Sequence, residues 1–221
     1  MVNSGKDKAG RLRMHTVCGI LMHSGLVVTT EGLGLGIAAV KFWTRRKFKG
    51  TNTFKKKINP TRVPTEEKES IRWLEDEIRS LRGAGMDVVV SLLTDQEVEE
   101  IELAQEPGLC AQNEIEFLSF PIEDRGVPPE DSDMPRFIGE LTAKLLEGNS
   151  VMIHCRMGIG RSALLTACLL AKRGIEVEEA FKLIAGARGC PVPDTSEQKA
   201  WVNSFVRNRS DVGLTHSKVD V

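Results

Sequence analysis

The chain has 221 residues, 41% hydrophobic and 28% charged, proportions that exclude a disordered polymer and a multi-span membrane protein. Its formal net charge of -1 hides a division: residues 1–65 carry 13 Lys or Arg against Asp7 and Glu31, and the remainder carries 17 basic against 29 acidic side chains. The five cysteines include no CxxC pair and no metal-type spacing with the four histidines, which points away from a disulfide framework or a metal site and toward a reducing compartment, the cytoplasm.

Residues 17–40 form an apolar, glycine-rich run long enough to cross a bilayer but interrupted by His23, Glu31 and several glycines. A poor membrane segment and a pair of short strands are both compatible with it. Residues 41–62 hold nine Lys or Arg and no acid, suited either to an anionic membrane surface or to a solvated linker; no specific nucleic-acid contact is expected. Pro60 and Pro64 punctuate its end, placing a basic extension at 1–64, a folded catalytic domain at 65–210 and a tail at 211–221.

Within that domain Ile71, Leu74, Ile78 and Leu81 recur at helical spacing, and Gly83 and Gly85 stop the helix. Residues 86–93 predict a buried strand. Thr94 followed by Glu97 is a capping-box signature for a short helix through Leu103. A second strand is expected at 115–120, then a helix carrying Phe137, Ile138, Leu141, Leu145 and Leu146 that Gly148 ends. Residues 151–153 predict a third strand, followed by helices near 161–173, 177–188 and 195–208. Continuously apolar strands alternating with helices predict an α/β domain with a central, mainly parallel sheet covered on both faces.

The strongest signal is HCRMGIGRS, from His154 to Ser162, placed between an apolar strand and a helix. A helix opening after a glycine-containing loop turns backbone N–H groups and the positive end of the helix dipole toward one point, a site for a tetrahedral anion. Gly158 and Gly160 let that loop close tightly. Cys155 opens the loop in the same positive field, which favours its thiolate, the nucleophilic form. Arg161 can lay a planar guanidinium over two phosphate oxygens, which lysine cannot duplicate. Cys168, among Leu164, Leu165, Leu169 and Leu170, is instead a core residue.

These residues resemble the signature of the cysteine-based protein tyrosine phosphatases: His-Cys, five residues, then Arg and Ser or Thr. The resemblance covers roughly residues 70–207. It implies that Cys155 is the nucleophile, that Arg161 grips the phosphate, that the amides of Arg156, Met157, Gly158, Ile159 and Gly160 line it, and that Ser162 hydrogen-bonds the thiolate as it leaves. His154 would support the loop from behind. No cofactor is implied.

Cleaving a phosphate monoester also needs a proton for the leaving oxygen. The loop FPIEDRGVP, residues 120–128, lies before Cys155, and compact dual-specificity members carry their acid three residues after a proline in a similar loop. That register selects Asp124 over Glu123. Arg125 could steer anionic substrate or be solvated. In the segment PVPDTSEQ, the resemblance would place Gln198 as a water-positioning residue, with Asp194 standing where relatives carry an earlier glutamine; Thr195 and Gln198 also form a plain capping box.

The expected activity is hydrolysis of phosphate monoesters on proteins, at phosphotyrosine and at phosphoserine or phosphothreonine, through a cysteinyl-phosphate. The alternatives are a phosphoinositide or inositol phosphate phosphatase, for which Arg156 is one basic residue inside the loop, and a phosphate-binding module without turnover. Sulfur transfer of the rhodanese kind also uses a loop cysteine after a strand, but the adjacent His154 and the Gly-Arg-Ser ending favour phosphate.

Overall fold

The computed structural model describes residues 25–29, 39–43 and 67–212. In chain order the elements are β1 (Gly25–Thr29), β2 (Ala39–Trp43), α1 (Glu67–Gly83), β3 (Val88–Ser91), α2 (Asp95–Glu100), α3 (Glu106–Gln112), β4 (Glu116–Ser119), α4 (Met134–Leu146), β5 (Val151–His154), α5 (Arg161–Lys172), α6 (Val177–Arg188) and α7 (Ser196–Val212). The strands form one sheet in the order β2-β1-β5-β3-β4. β3 runs parallel to both β4 and β5, whereas β1 is antiparallel to β5 and to β2. The sheet is thus mixed, with a parallel trio carrying an antiparallel hairpin.

The hairpin corrects the expected domain boundary at residue 64. Leu26 and Val28 are fully buried, and Leu26 pairs with Ile153 in β5, so the domain reaches back into the apolar 17–40 run. The described part of that run, residues 25–29 and 39–40, is strand, and no helix among the described residues is long and apolar enough to cross a bilayer. Residues 44–62, most of the basic stretch, lie outside the described residues, as does the tail beyond 212.

Strand side chains alternate between two cores, because successive residues of a strand point to opposite faces. Val88, Val90, Val151 and Ile153 face Phe137, Ile138, Leu141 and Leu164 from α4 and α5. Val27, Val89 and Met152 face Leu74, Ile78, Leu81 and Leu109 from α1 and α3. Burial on both faces is why these strands read as unbroken apolar runs. α5 lies deepest, with every side chain from Arg161 to Leu170 buried.

α3 is the element that periodicity missed. It begins with Glu106, Pro107 and Gly108, which read as loop residues, yet proline is tolerated in a first helical turn where its absent N–H has no partner to lose. At the front of α2 the capping box forms as the sequence predicts: Glu97 N–H donates to Thr94 Oγ1 (3.3 Å) and Thr94 N–H donates to Glu97 Oε2 (3.1 Å).

Because β3, β4 and β5 are parallel, the segments that follow them emerge at one edge of the sheet, the edge where open α/β sheets build their sites. β3 leads into α2, β4 into the loop bearing Asp124, and β5 into the loop bearing Cys155. The ladder extends into these exits: Leu92 N–H donates to His154 O (3.0 Å) and Ile122 N–H to Leu92 O (3.2 Å).

Candidate active site

Cys155 leaves β5 at the bottom of the loop and is 3% exposed. Its Sγ lies 3.5 Å from Ser162 Oγ, in hydrogen-bond contact with the first turn of α5. Among the described residues, the backbone N–H groups of residues 156–160 donate to no protein acceptor. Two of the loop's carbonyls, by contrast, are engaged: Arg188 at the end of α6 donates through Nε to Gly158 O (3.2 Å) and through Nη2 to Met157 O (3.1 Å). A trans peptide points its N–H opposite to its carbonyl, so Arg188 turns the N–H groups of Gly158 and Ile159 away from itself. Gly158 has a φ of 66°, a backbone conformation that favours glycine.

Gly160 is required for a different reason. A Cβ there would stand 2.9 Å from both amide atoms of Gln198 and 3.1 Å from Asp194 Cβ. The start of α7 therefore packs directly on the loop. Gln198 is fully buried, and its amide is committed on both sides. Its Oε1 accepts from Thr195 N–H (3.3 Å), completing the capping box with its own N–H on Thr195 Oγ1 (3.2 Å), and its Nε2 donates to Gly126 O (3.0 Å) in the Asp124 loop.

Arg161 is the hub. It is 1% exposed, and its Nη1 donates to Glu97 Oε2 (2.6 Å), to Ile122 O (2.8 Å) and to Leu92 O (3.3 Å). Its Nη2 donates to Glu97 Oε1 (2.8 Å) and to Asp124 Oδ1 (3.1 Å). One guanidinium thus ties together the exits of β3 and β4, α2 and the loop after β4. Burial works to discharge it, but the Glu97 carboxylate, the Cys155 sulfur and Asp124 hold its pKa above the ordinary value. For Glu97, burial pushes the carboxyl up; hydrogen bonds from Arg161 and Thr94 N–H, with the charges of Arg161 and Arg156, outweigh it and hold the group below the usual carboxylate range. A buried guanidinium and carboxylate in bidentate contact satisfy each other, whereas either alone would be a buried charge.

Asp124 reaches the site and its neighbour Glu123 does not, among the described contacts. The Asp124 side chain is 61% exposed, so it approaches Arg161 from the solvent side. Arg125 has a φ of 60°, and its Nε lies 3.6 Å from Asp194 Oδ2, a second thread from this loop to the segment before α7. His154 points away from the loop: its Nε2 is 3.1 Å from Glu106 Oε1, with both side chains almost wholly buried. Of the other cysteines, Cys110 is buried beside Glu106; burial first, and that carboxylate second, push its thiol up to about 12. It is a neutral core group, as the sequence implies for Cys168 as well.

Sequence reasoning missed Glu97, Glu106 and Arg188 as residues of this site. Glu97 was visible as the capping-box glutamate, but a second use of its carboxylate 64 residues along the chain leaves no local pattern. Among the described residues no cluster of His, Cys, Asp and Glu could hold a metal ion.

A buried cysteine opening a loop of free amides, closed by an arginine that a carboxylate shares, is an arrangement suited to a tetrahedral anion. Residues 78–207 match the model of the dual specificity phosphatase catalytic domain, and the chain belongs to that family. It is 27% identical over 136 residues to Cyclin-dependent kinase inhibitor 3 of Rattus norvegicus, covering 61% of this chain and 64% of that protein, and the human protein of that name matches to the same extent. The chain thus spans less than two thirds of the length of these relatives. Protein tyrosine phosphatase type IVA 3 of Homo sapiens is 32% identical over 76 residues, 34% of this chain and 43% of its own. Among solved structures, kinase associated phosphatase with its catalytic cysteine changed to serine superposes with a TM-score of 0.55 at 25% identity, covering 62% of this chain and 77% of that one. Human tyrosine phosphatase-like serine/threonine/tyrosine-interacting protein shares the fold, with a TM-score of 0.51 at 18% identity over 61% of this chain and 85% of that one.

Proposed function

We propose that the protein hydrolyses phosphate monoesters on phosphorylated proteins, at tyrosine and at serine or threonine, through a cysteinyl-phosphate. The observation that carries the reading is the shared guanidinium: Arg161 starts the helix behind the nucleophile's loop and also holds Asp124 at 3.1 Å, so nucleophile, phosphate clamp and acid converge on one point.

In the first step the Cys155 thiolate attacks phosphorus in line. An S–P bond forms, the P–O bond to the substrate breaks, and protonated Asp124 gives its proton to the departing oxygen. The loop amides of residues 156–160 and the Arg161 guanidinium stabilise the equatorial oxygens of a loose transition state. In the second step water attacks phosphorus, its proton passes to Asp124, and the S–P bond breaks. Ser162 Oγ–H, 3.5 Å from the sulfur, donates to the returning thiolate. Binding a phosphate dianion brings a competitor for Arg161 Nη2, which frees Asp124 from that contact to meet the leaving oxygen. His154, Arg188 and Gln198 support the geometry: His154 from behind β5, Arg188 through the loop carbonyls, Gln198 by bracing the acid loop against the phosphate loop.

The test is turnover of p-nitrophenyl phosphate by the purified chain, with Cys155→Ser as control. Hydrolysis by the wild type and none by the variant supports the mechanism; full activity in the serine variant sinks it. Phosphate binding without turnover by the wild type would establish a non-catalytic module instead. An Asp124→Ala trap, followed by identification of what it retains, then separates protein from lipid substrates.

A further inference from the structure

The arginines around the site are all engaged with protein acceptors. Arg161 is held by Glu97 and Asp124, Arg188 by the carbonyls of Met157 and Gly158, and Arg125 lies 3.6 Å from Asp194. Arg156 bears most on substrate choice, because it directly follows the nucleophile. Its Nη1 donates to Glu100 Oε2 at 2.8 Å and lies 3.9 Å from Glu97 Oε1. The other oxygen of Glu100 accepts from Gln96 Nε2 at 3.0 Å.

This arrangement follows from α2. Residues three apart on a helix share a face, so Glu97 and Glu100 meet Arg161 and Arg156 side by side, and Gln96, four residues before Glu100, orients its carboxylate. The hydrogen bonds from Arg156 and then Gln96 hold the Glu100 carboxyl below its ordinary range, so it remains charged at neutral pH. A guanidinium paired with one carboxylate and close to a second offers little to another anion. A phosphate arriving there would displace Glu100 and meet two carboxylates at short range.

We propose that Glu100 is a specificity-determining residue: by occupying Arg156 it makes the loop a single-phosphate site and selects against substrates that carry a second phosphate beside the scissile one. The inference rests on the phosphatase reading of the site. The second phosphate could belong to a neighbouring phosphorylated residue of a protein or to an inositol headgroup, and the chemistry of exclusion is the same.

The experiment compares kcat/KM for two matched pairs: a singly and an adjacently doubly phosphorylated peptide, and inositol 3-phosphate and inositol 3,4-bisphosphate. Wild type, Glu100→Gln and the double variant Glu100→Gln, Arg156→Gln are assayed, each with a thermal melt and with p-nitrophenyl phosphate. The wild type should favour the singly phosphorylated member. Glu100→Gln should narrow that preference roughly fivefold, the scale of a partly exposed charge pair, and the double variant should restore it, because the gain runs through Arg156. Narrowing in the peptide pair alone assigns the excluded phosphate to proteins, and in the inositol pair alone to lipid headgroups. A preference unchanged by Glu100→Gln, or a narrowing that persists in the double variant, overturns the proposal while turnover of p-nitrophenyl phosphate leaves the proposed function standing. Absent turnover by the wild type takes both down. Should Glu100→Gln fail to fold, Glu100→Asp, too short to keep the contact with Arg156, answers the same question.

Discussion

The loop of Cys155 and the loop of Asp124 face each other across one guanidinium and are built on opposite terms. Cys155 and Arg161 are 3% and 1% exposed; the first follows β5, a strand buried throughout, and the second opens α5, whose first ten residues are all buried. Asp124 is 61% exposed at its side chain. Its loop is held by a few contacts from afar: Arg161 to Asp124 and to Ile122 O, and Gln198 to Gly126 O. The first loop is anchored at both ends by buried side chains, Cys155 and Arg161. The second is exposed enough to release its carboxylate from Arg161, as the proposed general-acid role requires.

That contrast can be broken at either end. The largest effect is expected for Cys155→Ser: hydrolysis of p-nitrophenyl phosphate should fall at least about 10⁴-fold while the melting temperature changes little, since serine fits the same small buried space. Asp124→Ala should lower kcat by about 10²–10⁴-fold with alkyl phosphates and much less with p-nitrophenyl phosphate, whose leaving group needs no proton. Its melting temperature should match wild type because the side chain is exposed; a strongly destabilised variant would contradict the contrast.

Glu97→Ala attacks the buried side and should behave oppositely, unfolding more easily by about 3–5 kcal/mol because it strands the Arg161 charge. Denaturant midpoints would read this. The same pair predicts a pH dependence. The Glu97 carboxyl is held below the ordinary value of 4.5, so its contribution to stability is present above that value and is lost as pH falls through the lower, folded-state value. Glu97→Gln should flatten this acid limb of the stability curve, and an unchanged limb would exclude Glu97 as its source. The smallest effect is expected for Gln198→Ala, which removes the brace on Gly126 O: a loss of about 1 kcal/mol of stability and a fall in kcat of under about tenfold, largest with alkyl phosphates because the acid loop is what it steadies.

Much of the core is legible in the sequence. Apolar strands buried on both faces announce themselves as unbroken runs, and Ile71, Leu74, Ile78 and Leu81 mark the buried side of α1. The signature from His154 to Ser162 is contiguous, so the chemistry it carries can be read from the chain alone. The hairpin was harder, because Gly25–Thr29 sits in a glycine-rich run whose apolar character also suits a membrane, and Ala39–Trp43 crosses from that run into the basic stretch. α3 opens with proline and glycine, which disguise a helix as a loop. Asp124 lay between: the family resemblance, with its acid three residues after a proline, selected it over Glu123, and in space its contact with Arg161 sets it apart.

By itself the sequence determined the α/β class and marked Cys155, Arg161 and the loop between them as the candidate site, because these depend on periodicity and on a run of adjacent residues. The tertiary structure alone decided which partners those groups have: Glu97 on Arg161 across 64 residues, Glu100 on Arg156 across 56, and Gln198 on Gly126 across 72. Such pairings depend on the parallel strands delivering three exits to one edge, and a side chain's contacts at that edge leave no periodic trace in the residues beside it.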